Sequence, residues 1–201
     1  MKLITGLIAA SIAIGSAAPA QALPNYLESK GITYAAQAAG TLRVSALITL
    51  TGAPVWTTQL TAAPPDLTMS LALDKGVLFV TGYSLSIDPN TGFVWALDAE
   101  TGQILWSSHV PGGGIYSSAT ASKGLLYIAG AASGAGSSTT ALDAATGAIV
   151  WQFSTIYPVY SSPTVDKDTV TLVSGGFPSN PTYLIVLDAV TGALLVTSPV
   201  P

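Results

Sequence analysis

An eleven-residue segment that occurs twice constrains the fold of this chain more than any other feature. It reads ALDAETGQILW at 96–106 and ALDAATGAIVW at 141–151. VLDAVTGALLV at 186–196 has the same skeleton, and ALITLTGAPVW at 46–56 is a degenerate copy in which Ile48 replaces the aspartate. Spacings of 45 and 50 residues are typical of solenoids and propellers, in which each repeat is one structural unit.

A second segment recurs between these copies and supplies hairpin turns. At 71–82, 119–130 and 163–175, an apolar-rich run is followed by a polar turn and a second apolar run. The turns, such as Asp74-Lys75-Gly76, suit positive φ angles. The second runs are short and rich in β-branched and aromatic residues, which favours buried strands. We therefore predict an all-β fold with almost no helix: a partial β-propeller of about three four-stranded antiparallel blades.

The repeats divide the chain into three parts. Residues 1–22 are predicted to be a signal peptide, with Lys2, an apolar run and an A-x-A cleavage site at 20–22; the alternative is an uncleaved membrane anchor. We assign residues 23–41 to an N-terminal extension and 42–201 to about three blades. Three blades do not close a ring. Either two chains pair into a six-bladed ring, or the arc docks on a partner, or the sequence is a truncated gene product.

Charge and cysteine content exclude several classes of function. Charged residues make up 8% of the chain, hydrophobic residues 49%, and the net charge is −4. The few cations appear scattered in the sequence, so we do not expect nucleic-acid binding. The chain has no cysteine. This excludes disulfides, thiolate metal sites, thiol catalysis and a lipid-modified cysteine.

The eleven-residue segment combines a turn with an apolar anchor. The aspartate is expected to accept hydrogen bonds from the N–H groups of its own turn, and the glycine supplies a left-handed backbone. The tryptophan is expected to pack between neighbouring blades. We assign these structural roles, rather than metal binding or catalysis, to Asp98, Gly102, Trp106, Asp143, Gly147, Trp151, Asp188, Gly192 and Trp56.

The pattern Ala-x-Asp-x-x-Thr-Gly-x-x-x-Trp resembles the tryptophan-docking motif of pyrroloquinoline-quinone-type (PQQ-like) repeats. Over roughly residues 42–201 the chain resembles the propellers of quinoprotein alcohol dehydrogenases and the propeller lipoprotein of the outer-membrane barrel-assembly machinery. The first resemblance implies a quinone, a calcium or lanthanide ion, an aspartate base and often a vicinal cysteine pair, which this chain lacks. The second implies an exported, non-catalytic scaffold, here without a cysteine for lipid anchoring.

No catalytic or metal-ligating constellation is predicted from the residues themselves. The one histidine, His109, lies in the glycine-rich stretch SSHVPGGGIYSS, which we interpret as a solvated loop. The stretch DPNTG at 88–92 is interpreted as a turn rather than a calcium loop, because no further acidic ligand follows at the required distance.

The longer connections between strands form the predicted binding surface, on the opposite side from the short turns. Tyr-Ser-Ser recurs at 116–118 and 160–162, and aromatic plus hydroxyl groups suit a peptide or a sugar. The alternative is that the serines satisfy backbone groups and the tyrosines pack. The candidate binding residues are Tyr83, His109, Tyr116, Ser117, Ser118, Tyr157, Tyr160, Ser161, Ser162 and Phe177.

The sequence thus favours a secreted or periplasmic, non-catalytic scaffold that binds a protein or peptide and needs no cofactor. One alternative is a quinone-binding oxidoreductase remnant or subunit, for which PQQ and calcium would be needed. The other is a carbohydrate-binding surface module. We expect no membrane span after signal removal. The sequence leaves open whether two copies pair as a homodimer that completes a ring.

Overall fold

The computed structural model describes residues 26–39, 41–60, 67–84, 88–111, 114–115, 117–130, 137–175 and 181–200. These residues form four antiparallel sheets of four strands each. The described residues contain no helix, which confirms the all-β prediction for this part of the chain. Accordingly, none of the described segments is a helix long and apolar enough to cross a membrane.

Each sheet uses four consecutive strands, hydrogen-bonded in chain order. The first contains β1 (Tyr26–Ser29), β2 (Ile32–Ala39), β3 (Thr41–Ile48) and β4 (Pro54–Gln59). The second contains β5 (Thr68–Asp74), β6 (Val77–Ser84), β7 (Asp88–Asp98) and β8 (Ile104–Pro111). The third contains β9 (Thr120–Ser122), β10 (Leu125–Ala129), β11 (Ser137–Asp143) and β12 (Ile149–Thr155). The fourth contains β13 (Thr164–Asp166), β14 (Thr169–Ser174), β15 (Thr182–Asp188) and β16 (Leu194–Val200).

The prediction of about three blades is wrong, because the structure has four sheets. The additional sheet takes β1 and β2 from the segment assigned to an N-terminal extension. A two-residue turn at Lys30 and Gly31 joins these strands, and Ser29 pairs with Ile32 across it. The same Ser-Lys-Gly sequence forms the first turn of the third sheet at 122–124. This repeated Ser-Lys-Gly turn indicates the additional sheet, which the eleven-residue repeat alone does not.

A tight turn with a left-handed lysine closes the first hairpin of every sheet. The φ angles are 50° at Lys30, 47° at Lys75, 53° at Lys123 and 48° at Lys167. Positive φ was predicted for the turns at Lys75, Lys123 and Lys167 and is confirmed there; the turn at Lys30 was not predicted. These four lysines occupy equivalent positions, one in the first hairpin turn of each sheet.

The hydrophobic core lies in three layers, one between each pair of consecutive sheets. Tyr34 and Ala46 of the first sheet pack with Leu78 and Leu97 of the second. Equivalent layers join the second sheet to the third and the third to the fourth. The innermost strands β1, β5, β9 and β13 contact one another in that order. Face-to-face stacking of the sheets therefore follows the chain.

One tryptophan contact repeats in every layer. The indole N–H donates to a carbonyl oxygen of the next sheet, from Trp56 to Ala99 at 3.1 Å, from Trp106 to Ala144 at 3.1 Å and from Trp151 to Ala189 at 3.0 Å. Each ring lies against a glycine of that sheet. A Cβ atom there would stand 2.5 Å from the ring at Gly102 and Gly147 and 2.6 Å at Gly192, so only glycine fits.

A second aromatic ring accompanies each of these tryptophans. The ring centroids are 6.1 Å apart for Tyr34 and Trp56, 6.1 Å for Phe79 and Trp106, and 5.9 Å for Tyr127 and Trp151. The hydroxyl groups of Tyr34 and Tyr127 donate to the same carbonyl oxygens as the neighbouring indoles, at 3.3 and 3.2 Å. Burial, with the nearby Asp98 or Asp188 charge, raises the pKa of each of these tyrosines.

The aspartate that ends the third strand of a sheet closes its own turn. Asp98 Oδ1 accepts hydrogen bonds from the N–H of Glu100 at 3.1 Å, from the N–H of Thr101 at 2.7 Å and from the Thr101 hydroxyl at 2.8 Å. Equivalent bonds form at two further turns. In the first sheet Ile48 replaces the aspartate, yet the Gly52 N–H still donates to the Ile48 carbonyl at 2.8 Å. The backbone turn therefore forms without the carboxylate.

Candidate functional site

The fold has two chemically different edges. We call the edge with the short turns the turn face, and the opposite edge, with the longer connections, the loop face. Arg43 and Asp88 lie near the loop face. The other charged residues that the structure describes lie within two residues of a turn: Glu28, Lys30, Asp74, Lys75, Asp98, Glu100, Lys123, Asp143, Asp166, Lys167, Asp168 and Asp188. The loop face is therefore the less charged edge.

Two candidate binding residues lie in strands rather than in loops. Tyr83 is half-buried in β6, where it pairs with Thr68. His109 is in β8 opposite Phe93, and the two rings meet edge to face with centroids 4.9 Å apart. The loop assignment of His109 is therefore wrong: the glycine-rich stretch begins only after the strand has ended. The predicted turn at 88–92 is also wrong, because β7 begins at Asp88 and residues 88–92 belong to it.

The serines of the recurring Tyr-Ser-Ser stretches bond mainly to backbone groups. The Ser117 hydroxyl donates to the Ala129 carbonyl at 3.5 Å, and Ser162 Oγ accepts the Ser118 N–H at 3.1 Å. Ser161 Oγ accepts the Val173 N–H at 3.0 Å. These bonds position the connections against the neighbouring strands. Tyr116 and Phe177 lie outside the described residues.

Residues 156–163, which connect β12 to β13, are held firmly on the loop face. The Tyr157 carbonyl oxygen accepts two hydroxyl hydrogen bonds at 2.8 Å, from Thr155 and from Ser174. The N–H of Gly175 donates to the Pro158 carbonyl at 2.8 Å, and Val159 is fully buried. This connection is therefore a fixed part of the surface.

A pair of stacked tyrosines lies beside this connection. The rings of Tyr157 and Tyr183 have centroids 6.0 Å apart and an interplanar angle of 5°. On the same connection Ile156 is 85% exposed and Tyr160 is 48% exposed. The sequence pointed to Tyr157 and Tyr160 but missed Tyr183, because Tyr183 lies in a different sequence segment and reads as an ordinary strand residue.

A polar seam joins the second and third sheets near the same edge. The Gln152 amide donates to the Pro111 carbonyl at 2.8 Å and to the hydroxyls of Ser138 and Thr140 at 3.0 and 3.2 Å. The Ser138 hydroxyl also donates to the Pro111 carbonyl at 3.2 Å. These groups satisfy one another and leave the seam as a structural contact between sheets.

The acidic residues of the described ranges are spread over the sheets rather than grouped around one point. Within the described ranges, no three side chains of His, Cys, Asp or Glu are grouped closely enough to hold one. The pKa of Asp98, Asp143 and Asp188 is lowered, and the cause is hydrogen bonding from the following threonine of each turn. These carboxylates are thus engaged within their own turns, one in each of three sheets, and are not grouped as ligands of one ion.

Four stacked antiparallel sheets, each joined to the next by a tryptophan on a glycine, define a β-propeller-type repeat protein. The family model described as outer membrane protein assembly factor BamB matches residues 38–129 and 90–197, which together cover most of the chain. The chain belongs to this family of PQQ-like repeats. No curated protein sequence matches it.

Solved structures share the fold at low sequence identity. Quinohemoprotein alcohol dehydrogenase from Comamonas testosteroni has a TM-score of 0.66 and 20% identity over 87% of this chain and 34% of its own. BamB from Moraxella catarrhalis has a TM-score of 0.52 and 15% identity over 87% of this chain and 62% of its own. The computationally designed Ika4 protein has a TM-score of 0.60 and 18% identity over 81% of this chain and 89% of its own. The chain thus spans about a third of the dehydrogenase's length.

Proposed function

We propose that this protein is an exported, non-catalytic propeller scaffold that binds a protein or peptide through its loop face. The observation that carries the proposal is the fixed connection at 156–163, which presents Ile156 at 85% exposure and Tyr160 at 48%. Exposed apolar and aromatic groups on a rigid frame are typical of the centre of a protein interface. Most charges lie on the other edge, so apolar contacts and hydrogen bonds would provide recognition.

The family supports a partner-binding role for the whole protein. Its model carries the description of an outer membrane protein assembly factor, and a scaffold fits that description better than an enzyme does. We propose that the indole contacts with Gly102, Gly147 and Gly192 serve as the tryptophan docking of such repeats. Export by the N-terminal segment remains a prediction, and closure of a ring by two copies is one of the three arrangements that the sequence left open.

Two alternatives have their own distinguishing results. A quinone-binding oxidoreductase is suggested by the fold it shares with the dehydrogenases; against it, the acidic residues of the described ranges are not grouped as ligands of an ion. A carbohydrate-binding module is favoured by the parallel rings of Tyr157 and Tyr183, because tyrosine faces and neighbouring hydroxyls suit a sugar ring.

Peptide selection against the immobilised protein tests the proposal. Peptides selected on the wild type should lose at least about tenfold in affinity for Ile156→Ser, which removes an apolar contact of about 1.4 kcal/mol or more. The matched control is Leu50→Ser on the turn face, where Leu50 is 94% exposed. Equal binding by both variants contradicts the assignment to the loop face. Glycan-array binding without peptide binding favours the carbohydrate module, and a spectral change on quinone addition favours the oxidoreductase.

A further inference from the structure

The fourth sheet differs from the other three on the side that faces away from the third sheet. Val173 of β14 is 39% exposed there, whereas its counterparts Ala36, Thr81 and Ala129 in the other sheets are 1%, 1% and 0% exposed. Val196 of β16 is 49% exposed at the position where the third sheet has a buried tryptophan. This side of the fourth sheet is therefore exposed among the residues that the structure describes.

The side chains on this side also differ in size and type from their counterparts in the third sheet. Leu184 and Val186 stand where the third sheet has a threonine and an alanine, so the small residues have become larger. Thr171 and Val196 stand where it has the tyrosine and tryptophan of the aromatic pair. The result is a side without the projecting rings that join the other sheets, on which aliphatic side chains are interspersed with Thr171, Thr182 and Ser198. We call its aliphatic part the aliphatic face. The aliphatic face is formed by Val173, Leu184, Val186, Val196 and Val200.

The other end of the stack does not offer a matching surface. On the outward side of the first sheet, Thr33 bonds to Thr49 and Ser45 bonds to Thr57 through their hydroxyls, both at 2.9 Å. Ser45 is only 8% exposed, and Leu47 on the same side is 3% exposed. The apolar side chains on this side, Ala35 and Leu47, are also buried, so a second copy that approached head to tail would not meet an exposed aliphatic surface there.

We propose that the aliphatic face is a homodimer interface, in which two copies pack fourth sheet against fourth sheet about a two-fold axis. A two-fold contact places the same patch on both sides, so an uncharged aliphatic patch is complementary to itself. Two sheets that pack face to face bury their inner side chains in a layer about 10 Å thick. The inference goes beyond peptide binding and uses residues that the proposed loop-face site does not.

Light scattering of the full chain on a sizing column tests the interface. The wild type should have twice the mass of one chain, and Val196→Glu should raise the dimer dissociation constant about a hundredfold or more, because the symmetric interface would bury the carboxylate twice. Leu105→Glu is the matched control, since Leu105 on β8 is also 49% exposed. It should stay dimeric. A monomeric wild type, or a dimer that Val196→Glu leaves intact, overturns the proposal.

Cysteine cross-linking distinguishes this dimer, in which two fourth sheets meet, from a ring, in which the fourth sheet of one copy would meet the first sheet of the other. The chain has no cysteine, so each introduced thiol reports on one position. Val196→Cys should form a disulfide-linked dimer on mild oxidation, and Leu105→Cys should not. If Val196→Cys cross-links only when Thr57→Cys is present in the same chain, the contact is head to tail and the proposal is wrong. Urea unfolding curves of Val196→Glu and Val196→Ser that match the wild type show that lost association does not reflect lost folding.

Discussion

Replacement of Gly147 by alanine is predicted to destabilise the protein strongly, because the new methyl group would collide with an indole ring. Gly147 has a φ of +74°, and a Cβ atom there would lie 2.5 Å from Cε3 of Trp106. The ring cannot simply turn away, since its N–H is bonded to the Ala144 carbonyl at 3.1 Å. The substitution therefore carries a backbone cost and a steric cost.

Alanine at Gly124, in the same sheet, isolates the backbone cost. Gly124 has a φ of +81°, and a Cβ atom there meets nothing within 4 Å. We expect Gly124→Ala to cost about 1–2 kcal/mol in unfolding free energy, from the left-handed backbone alone. Overpacking adds about 1–3 kcal/mol for Gly147→Ala. The reduced entropy of the unfolded chain is common to both variants and cancels in the comparison.

Urea unfolding at pH 7 and 25 °C measures this difference directly. With an m-value of about 2 kcal/mol per molar, Gly147→Ala should unfold about 0.5–1.5 M below Gly124→Ala. Trp106→Val places at this position the valine that the fourth sheet carries, and it removes the ring. In that background the two alanine variants should cost the same. Equal midpoints in the wild-type background would refute the claim that the Trp106 ring excludes a side chain at position 147.

Three further substitutions test individual polar groups and the hydrogen bonds that they make or lack. Thr139→Val should raise the unfolding free energy by about 1 kcal/mol in urea titrations, because the Thr139 hydroxyl is buried without a partner and its counterparts in the first two sheets are buried valines. Phe79→Tyr should stabilise by about 0.5–1 kcal/mol by donating to the Ala144 carbonyl, as the equivalent tyrosines do; no gain means that the hydroxyl does not reach. The Thr101 hydrogen bonds lower the pKa of Asp98, so the stability they provide is present above the unfolded-state pKa of about 3.9 and is lost as pH falls through the folded-state pKa. Asp98→Asn keeps the acceptor oxygen and should therefore lose less stability than the wild type between pH 5 and pH 3, and an unchanged pH dependence contradicts this.

The sequence was sufficient to predict most strands and short turns of the last three sheets, because their signals are local. Each sheet repeats a two-residue turn with Lys at positive φ and a glycine turn before its outer strand. The first sheet was missed because its repeat is degenerate, with Ile48 in place of aspartate, and because β1 and most of β2 were assigned to an N-terminal extension. The Ser-Lys-Gly turn at 29–31 would have indicated it, because the same tripeptide forms the first hairpin turn of the third sheet.

The surface could not be predicted in the same way, because its features depend on contacts between distant segments. Tyr183 meets Tyr157 only after β15 has been placed in register beside β14. The position of Tyr157 depends in turn on hydroxyls of Thr155 and Ser174, which in the sequence are ordinary strand residues. His109 appeared to lie in a loop because the sequence does not mark where β8 ends.

The four sheets also provide an internal comparison of which residues determine the stacking. The turn of the first sheet keeps its backbone hydrogen bond without the aspartate, so the carboxylate adds stability to a geometry that glycine already sets. The contact of tryptophan with glycine, in contrast, is present in every layer between two sheets. On the outward side of the fourth sheet, Val196 stands at the equivalent position in place of the indole. Every contact between consecutive described sheets therefore includes a ring against a glycine, whereas the aspartate is dispensable for the backbone geometry of its turn.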